Sequence, residues 1–496
     1  MSAESGFSSL FNQPSALQRP LCVDLDGTLV SSDTLSEEML LLLRQRPWLA
    51  LLTPLWLLGG RARFKQLLAS HVRLSPESLP YRRQLLDALR ESRAHGRKLV
   101  LATAADRTVA DAVARHLELF DEVHASDGER NLKGTHKRDA LVAAYGERGF
   151  DYIGDSSADA EILRAAAQGY LVGASPGAAR VARELSNVKL ISHRPNVLVA
   201  LLRELRLHQW AKNALLVLPV LLSPSGPTVP VLALGVLSAL TFSLCASAGY
   251  VVNDLLDIEA DRAHQSKLKR PFASGALQVI FGPPLFLALV AASFGLSLSF
   301  LPLGFSAMLL LYFVGTLSYS FYLKRLLLLD VLVLAGLYTH RILSGGIATG
   351  VKVSAWLLGF SMFFFTSLAF AKRYVELRAL TGDDKVKNRG YYRTDVAVVT
   401  SMGTASGYIA ALVFVLYVDG PTVRAVYREP LLLWLILPVL LYWLGRLWLL
   451  AGRGRMQEDP VKFALKDPVS LLCGAIIASI AGSARFAPAW LSNALH

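Results

Sequence analysis

The chain has 496 residues, too many for one ordinary domain, and 53% of them are hydrophobic. The formal net charge of +13 invites a nucleic-acid reading. The excess Lys and Arg, however, gather in loops between apolar runs, as on the cytoplasmic side of membrane proteins, so no nucleic-acid partner is expected. Cys22, Cys245 and Cys473 are far apart in apolar contexts and offer neither a disulfide framework nor metal-ligand spacing. Charges are spread evenly up to about residue 195. From about 213 onward apolar runs of about 20 residues recur, each sufficient for a hydrocarbon core of roughly 30 Å. The expected organisation is a soluble domain over 1–195 and a polytopic membrane domain over 196–496.

The opening "MSAESGFSSLFNQPS" has no apolar signal segment, so the first domain is expected in the cytoplasm. "LCVDLDGTLVSSDT", 21–34, reads as an apolar strand ending in two acids, Asp24 and Asp26, that point the same way from an extended segment. Gly27 permits a tight turn behind them. "KLVLATAAD", 98–106, is a second buried strand with Thr103 near its end, and "FDYIGDSSAD", 150–159, a third, closing on Asp155 and Asp159. Helical stretches between them predict a parallel α/β sheet with its polar residues at the carboxyl ends of strands, where such sheets bind ligands. Residues 33–95 separate the first two strands, the place where the resemblance given below implies a helical cap. Within it "PWLALLTPLWLLGG", 47–60, is too short to span a bilayer and very apolar for a solvated face, which suits either the membrane interface or the core of the cap.

These segments, over about 19–185, resemble the haloacid-dehalogenase (HAD) phosphohydrolase superfamily, with its DxDGT, strand-terminal Thr, Lys and GDxxxD. The resemblance implies a Rossmann-like fold with Asp24 as nucleophile, Asp26 as general acid/base, Thr103 holding phosphoryl oxygens, and Mg²⁺ at Asp24, Asp26, Asp155 and Asp159. In "NLKGTHKRDAL" Lys137 fits the family lysine, with Lys133 as the other candidate. A carboxylate nucleophile is weak and repelled by phosphate unless a metal and a Lys screen it, so the set is chemically coherent.

Membrane spans are expected at 213–223 with its flanks, 229–252, 279–298, 303–322, 326–348, 354–371, 396–418, 431–449 and 469–487, about nine in all. With a cytoplasmic N-terminus, the loops 253–278, 323–325, 372–395 and 450–468 are cytoplasmic, and they hold most of the loop Lys and Arg. The opposite loops hold few, such as Lys352, Arg424 and Arg428, so the positive-inside asymmetry agrees.

At the mouth of one span, "NDLLDIEADRAHQSKLKRPFASG" places Asp254, Asp257 and Asp261 at spacings of 3 and 4, one ridge on a helix. Mg²⁺ suits such acids because it shares its remaining positions with substrate phosphates. The nearby Lys267 and Arg270 suit the phosphate oxygens left over. This motif, with "RLHQWAKN" at 206–213 and "YSFYLKRLLLLDV" at 319–331, resembles the UbiA superfamily of intramembrane prenyltransferases over about 200–490. The resemblance implies an all-helical bundle, Mg²⁺-bound diphosphate, and a lipid tail in a lateral opening.

Most family members carry a second aspartate-rich motif. Here "AKRYVELRALTGDDKVKNRGYYRTD", 371–395, has adjacent acids only at Asp383 and Asp384, outnumbered by cations that include Lys372, Arg373, Lys385, Lys387 and Arg389. With "DPVKFALKD" at 459–467, this resembles the polyprenyl-phosphate phosphoribosyltransferase branch. The branch implies transfer of 5-phosphoribose from phosphoribosyl diphosphate to a polyprenyl phosphate. Asn253, Lys267, Arg270, Tyr322, Lys324, Asp330, Arg341, Lys372, Arg373, Glu376 and Arg389 are its expected substrate-binding residues. Arg341, deep in a span, is a functional candidate by position alone, or else a structural partner of Asp330. Joined to a phosphatase, such an enzyme yields a lipid-linked ribose for arabinose-donor synthesis. Two other readings stay open: an aromatic prenyltransferase with an accessory phosphatase, and a non-catalytic anchor for one.

Overall fold

A computed structural model describes residues 11–12, 14–223, 226–380, 389–420, 423, 426–456 and 459–486. Asp383, Asp384, Lys385, Lys387 and Arg424 lie outside the described residues. The chain divides into two compact units, 1–206 with 250–287, and 207–249 with 288–496. The acid-rich segment around Asp254 is thus packed with the N-terminal domain rather than within a separate 196–496 body.

The first unit is built on a six-stranded parallel sheet in the order β3-β2-β1-β4-β5-β6. Its strands are β1 (Leu21–Val23), β2 (Leu99–Asp106), β3 (Glu122–Ser126), β4 (Asp151–Gly154), β5 (Gln168–Leu171) and β6 (Val188–Leu190). β1 is apolar throughout because helices cover both faces of the sheet. Leu21 and Val23 join one core with Leu85, Leu89 and Leu101, while Cys22 points the other way and packs with Val100, Tyr152 and Ile162. At the amino end of β4, Asp151 forms a fully buried ion pair with Arg97 and a second with Arg19. The carboxyl ends of β1 and β4 are left for polar residues. The cap lies between β1 and the helix Arg83–Ala94, and consists of helices Thr34–Gln45, Pro47–Ala50, Thr53–Leu58 and Arg61–His71. Its small core is Leu41, Leu42, Phe64, Leu68 and Val72.

The second unit is helical. Among the described residues, 8 helices are long and apolar enough to cross a membrane: Val229–Leu256, Val279–Phe300, Leu303–Phe321, Leu329–Thr349, Ala355–Arg378, Arg393–Asp419, Pro430–Gly452 and Pro468–Phe486. They account for every expected span but the first. Residues 213–223 do not form one; Leu207–Leu216 is a 3-10 stretch, followed by a 4-residue helix Leu218–Leu221 with Pro219 in its first turn. Hydropathy over that run is sufficient but length is not, since about 11 helical residues rise only about 16 Å. Close helix packing in this unit depends on small residues. A Cβ on Gly403 would collide with Trp448 and Phe370, and Gly407 lies against Ser367.

Candidate active sites

The first site is a cavity of about 400 Å³ at the carboxyl ends of β1 and β4. Asp24 follows β1 directly, and its N–H donates to the Ile153 carbonyl of β4 (3.0 Å). Gly27, at φ +78°, turns the chain away, and a Cβ there would collide with the Asp155 carboxylate. The returning loop is tied back by Gly27 N–H to the Ser32 carbonyl (3.1 Å) and by Thr34 N–H to Asp26 Oδ1 (2.8 Å). Lys137 enters from the first turns of helix Thr135–Tyr145 and sets Nζ 2.7 Å from Asp24 Oδ1 and 3.1 Å from the Tyr152 hydroxyl. Tyr152 donates in turn to Asp159 Oδ1 (3.0 Å). Ser156 holds the other oxygen of Asp159 through its N–H and its hydroxyl (3.1 and 3.0 Å).

Asp24, Asp155 and Asp159 each bring a carboxylate oxygen within 4.8 Å of the others, a donor set that fits a hard divalent cation. Asp26 is not in that group; its carboxylate is turned to Thr34. Thr103 is fully buried, its hydroxyl accepting the Ala105 N–H (3.0 Å). Lys133 lines the cavity, but it is Lys137 that pairs with Asp24. Burial raises Asp24 to about 6 despite the opposing Lys137 charge. Burial, with the Asp33 charge, pushes Asp26 to about 8. Asp24 is therefore the stronger acid of the two and Asp26 the weaker.

The sequence did not single out Arg194, which pairs with Asp155 (2.5 Å), or Lys65, which reaches the Ala104 carbonyl and Asn131 Oδ1 (3.1 Å). Arg61, Asp33, Glu38 and Gln278 also line the cavity.

The same unit holds the acid-rich segment. Helix Val229–Leu256 ends before Asp257, and a new turn, Ile258–Arg262, begins after it. Bonds from Asp257 N–H to the Asn253 carbonyl (2.9 Å) and from Asp261 N–H to the Asp257 carbonyl (2.8 Å) carry the helical register across the break. Asp254 and Asp261 are buried, whereas Asn253, Asp257 and Lys267 are half-buried. Arg206 donates to both Asp254 oxygens (2.5 Å each), and Arg270 bridges Asp254 (3.1 Å) to Asp261 (2.5 Å). Among the described residues, the three acids do not gather as the Asp24 group does. Asp254 and Asp261 are held by arginines instead. Buried Glu204 beside them is pushed up to about 9, first by burial and then by the Asp254 charge.

Farther along, Arg262 forms an ion pair with Glu37 at the start of the cap (2.5 Å) and donates to the Ser78 carbonyl (3.1 Å). Glu37 also accepts from Ser32 (2.5 Å), on the loop that carries Asp26. The Ser31 hydroxyl donates to the Ser274 carbonyl (3.2 Å).

In the second unit, Arg373 is the centre of a buried network. It donates to Asp330 (2.6 Å), Glu376 and the Tyr319 hydroxyl (3.3 Å). Arg389 lies 3.7 Å from Asp330 and 3.5 Å from Glu376, and Tyr391 donates to Asp330 (2.8 Å). Four of the expected residues, Asp330, Arg373, Glu376 and Arg389, thus come together across three sequence segments. Lys372 is half-buried beside them in sequence, Lys324 is half-buried in the 3-10 turn Leu323–Arg325, and Tyr322 is exposed. Arg341 does not pair with Asp330. It bonds to Asn213 Oδ1 (2.9 Å), the Leu337 carbonyl (2.6 Å) and the Tyr312 hydroxyl (3.1 Å), between the rings of Phe242, Tyr312 and Tyr338. Lys212 pairs with Asp459 (2.6 Å), which joins two of the motifs that carried the resemblance.

Residues 214–467 match the UbiA prenyltransferase family, and residues 21–164 match haloacid dehalogenase-like hydrolases. The chain belongs to the UbiA prenyltransferase family. It carries an HAD domain at its N-terminus. The uncharacterized protein y4nM of Sinorhizobium fredii is 39% identical over 466 residues, 93% of this chain and 90% of that protein. Nodulation protein NoeC of Azorhizobium caulinodans is 34% identical over 54% of the chain and 87% of its own length. The decaprenyl-phosphate phosphoribosyltransferase of Mycobacterium tuberculosis is 31% identical over 186 residues, 37% of this chain and 61% of that enzyme. As a UbiA family member with an HAD domain, the chain combines a transferase of the prenyltransferase type with a phosphatase-type fold.

Proposed function

We propose that this UbiA–HAD protein transfers 5-phosphoribose from phosphoribosyl diphosphate to a polyprenyl phosphate, and that its HAD domain then removes the 5-phosphate. The observation that carries the transfer step is the cation-rich second polar segment, with Arg373 and Arg389 on Asp330 and Glu376, in place of a second aspartate-rich motif. A donor bearing both a diphosphate and a 5-phosphate needs more cations than a prenyl diphosphate does. The similarity to decaprenyl-phosphate phosphoribosyltransferase supports the same reading.

In the transfer step an oxygen of the lipid phosphate attacks C1 of the ribose. The C1–oxygen bond to diphosphate breaks, and diphosphate leaves with the bonding electrons. In this reading Arg206, Arg270 and Lys267 take up the leaving group's charge, and Arg341, which bonds to Asn213, Tyr312 and the Leu337 carbonyl, holds a phosphate. The proposal of Mg²⁺ at Asp254, Asp257 and Asp261 rests on residue type, because Arg206 and Arg270 hold Asp254 and Asp261 in this arrangement.

In the phosphatase step Asp24 attacks the phosphorus, Asp26 gives its proton to the departing ribose oxygen, and water then releases phosphate from Asp24. Mg²⁺, held by Asp24, Asp155 and Asp159, would screen the nucleophile from the phosphate charge. Lys137 orients Asp24 and offsets its charge. The positive-inside pattern supports a multi-pass protein of the bacterial inner membrane with its polar loops in the cytoplasm.

The test is to give the purified full-length protein labelled phosphoribosyl diphosphate and polyprenyl phosphate. A labelled lipid and released diphosphate are expected. Turnover of 4-hydroxybenzoate with a prenyl diphosphate, and none with phosphoribosyl diphosphate, would assign the chain to the aromatic class.

A further inference from the structure

The cap turns an apolar surface outward. In the hairpin of helices Pro47–Ala50 and Thr53–Leu58 and the turn between them, Leu51 is 80% exposed, Leu58 84% and Trp48 64%, and Leu52, Leu55 and Leu57 are exposed with them. The opposite side of this hairpin is already in use. Leu49, Ala50 and Trp56 pack on the cap core, and Trp56 stacks on His71 at 5.0 Å. The outward leucines are therefore surplus to the fold, and six large apolar side chains on about a dozen residues form the kind of patch that marks a partner or a membrane. Arg44 and Arg46 precede the patch and Arg61 and Arg63 follow it, all exposed. Apolar side chains framed by cations match a bilayer interface, where leucines enter the acyl boundary and arginines remain among phosphate headgroups.

A second observation ties this surface to lipid. The phosphatase cavity is lined on one side by Arg61, which follows Leu58 by three residues, at most about 10 Å of chain. It is also lined by Gln278, the residue immediately before the membrane-crossing stretch Val279–Phe300. Both lie in the same compact unit. The segment bearing Gln278 is fixed there through the Arg262–Glu37 ion pair and the Ser31–Ser274 hydrogen bond. One residue that lines the cavity is thus next in sequence to a candidate span, and another follows the exposed apolar hairpin by three residues.

We propose that the Pro47–Leu58 hairpin is an interfacial membrane anchor, and that the phosphatase cavity opens at the bilayer surface to take a phosphomonoester carried on a lipid. The substrate half of this inference rests on the phosphatase reading above; the anchor half does not. A lipid-borne substrate stays at the bilayer while its phosphate enters between Arg61 and Gln278. A soluble phosphate ester gains nothing from the anchor.

Two measurements on the full-length protein in phosphatidylcholine/phosphatidylglycerol nanodiscs test it. The native cysteines are buried, so a spin label can be placed at Leu58→Cys, and at Glu91→Cys on an exposed position of helix Arg83–Ala94 as the reference. The label at 58 is expected to be accessible to oxygen and shielded from a water-soluble nickel chelate, with the reverse at 91. Equal exposure of both labels to the chelate, or dipolar broadening between labels at 58 that reveals a second copy on this face, would overturn the anchor.

The second measurement compares the double variant Leu55→Asp/Leu58→Asp with the wild type. On the phosphoribosyl lipid, kcat/KM is expected to fall about tenfold or more, equivalent to about 1.4 kcal/mol and less than two buried leucines contribute. On p-nitrophenyl phosphate it is expected to be unchanged. An equal loss on both substrates, or no loss on the lipid, would overturn the substrate assignment. If the wild type hydrolyses neither substrate, the phosphatase reading itself fails, and the spin-label result still decides the anchor.

Discussion

At the residue scale the proposed phosphatase step gives different roles to two carboxylates that lie two positions apart. Asp24, raised to about 6, must lose its proton to attack phosphorus, so the rate rises as pH rises through that value. Asp26, raised to about 8, must keep its proton for the leaving oxygen, so the rate falls as pH rises through that value. The expected kcat/KM profile on p-nitrophenyl phosphate is a bell between those limbs, with the acid limb moving lower as Mg²⁺ is added. A rate still rising at pH 9 would remove Asp26 from its role. In the membrane unit, Arg373→Met should destabilise that unit by about 3–5 kcal/mol, because Asp330 and Glu376 lose their buried partner. The double variant Arg373→Met/Asp330→Asn should recover part of the loss, as measured by heat-induced aggregation in detergent. Asp24 and Lys137 were legible in the sequence because each sits at a strand or helix end with a fixed spacing. Arg194 and Lys65 were not, since each reaches the cavity from an element that only folding brings there. Asp330 was legible as a candidate, but its partner was not. A buried aspartate is satisfied by whichever arginine the packing delivers, and that proved to be Arg373 rather than Arg341.

At the scale of elements, hydropathy located the eight helices that, among the described residues, are long and apolar enough to cross a membrane, because a bilayer demands length as well as apolarity. It misread 213–223, where Asn213 and Lys212 serve side-chain bonds to Ser243 and Asp459 and the backbone stays short and irregular. The three-residue and four-residue spacing of Asp254, Asp257 and Asp261 correctly predicted a shared helical register, but not the arginines that close on it. Arg206 opens the "RLHQWAKN" motif, but nothing in that motif marks it as the partner of Asp254. The fastening of the segment to the cap was also hidden, because Glu37 reads as an ordinary first-turn acid of a helix. Arg262→Met should lower phosphatase turnover by about tenfold, about 1.4 kcal/mol of transition-state stabilisation. The buried Glu37 then lacks its cation, and the loop carrying Asp26 loses its support. Adding Glu37→Gln should restore part of that turnover; an unchanged rate in the single variant would show that the fastening is structurally idle. Asp254→Ala should abolish the lipid product while phosphatase turnover of p-nitrophenyl phosphate continues, and a normal yield of lipid would remove that acid from the transfer site.

At the scale of the whole molecule, the sequence displayed both families because each is defined by short motifs at fixed places in the chain. It did not display that residues 250–287 pack with the N-terminal domain, since compact units need not follow chain order. The central claim is that one chain adds a phosphorylated ribose to a lipid and then strips its phosphate. Asp24→Asn tests it most directly, because it removes the nucleophile's charge at nearly constant shape. Mass spectrometry of membrane lipids from cells carrying this variant should show a polyprenyl-phospho-ribose heavier than the wild-type product by one phosphate group. If variant and wild type yield the same lipid, the HAD domain acts on some other molecule and the two-step account is wrong.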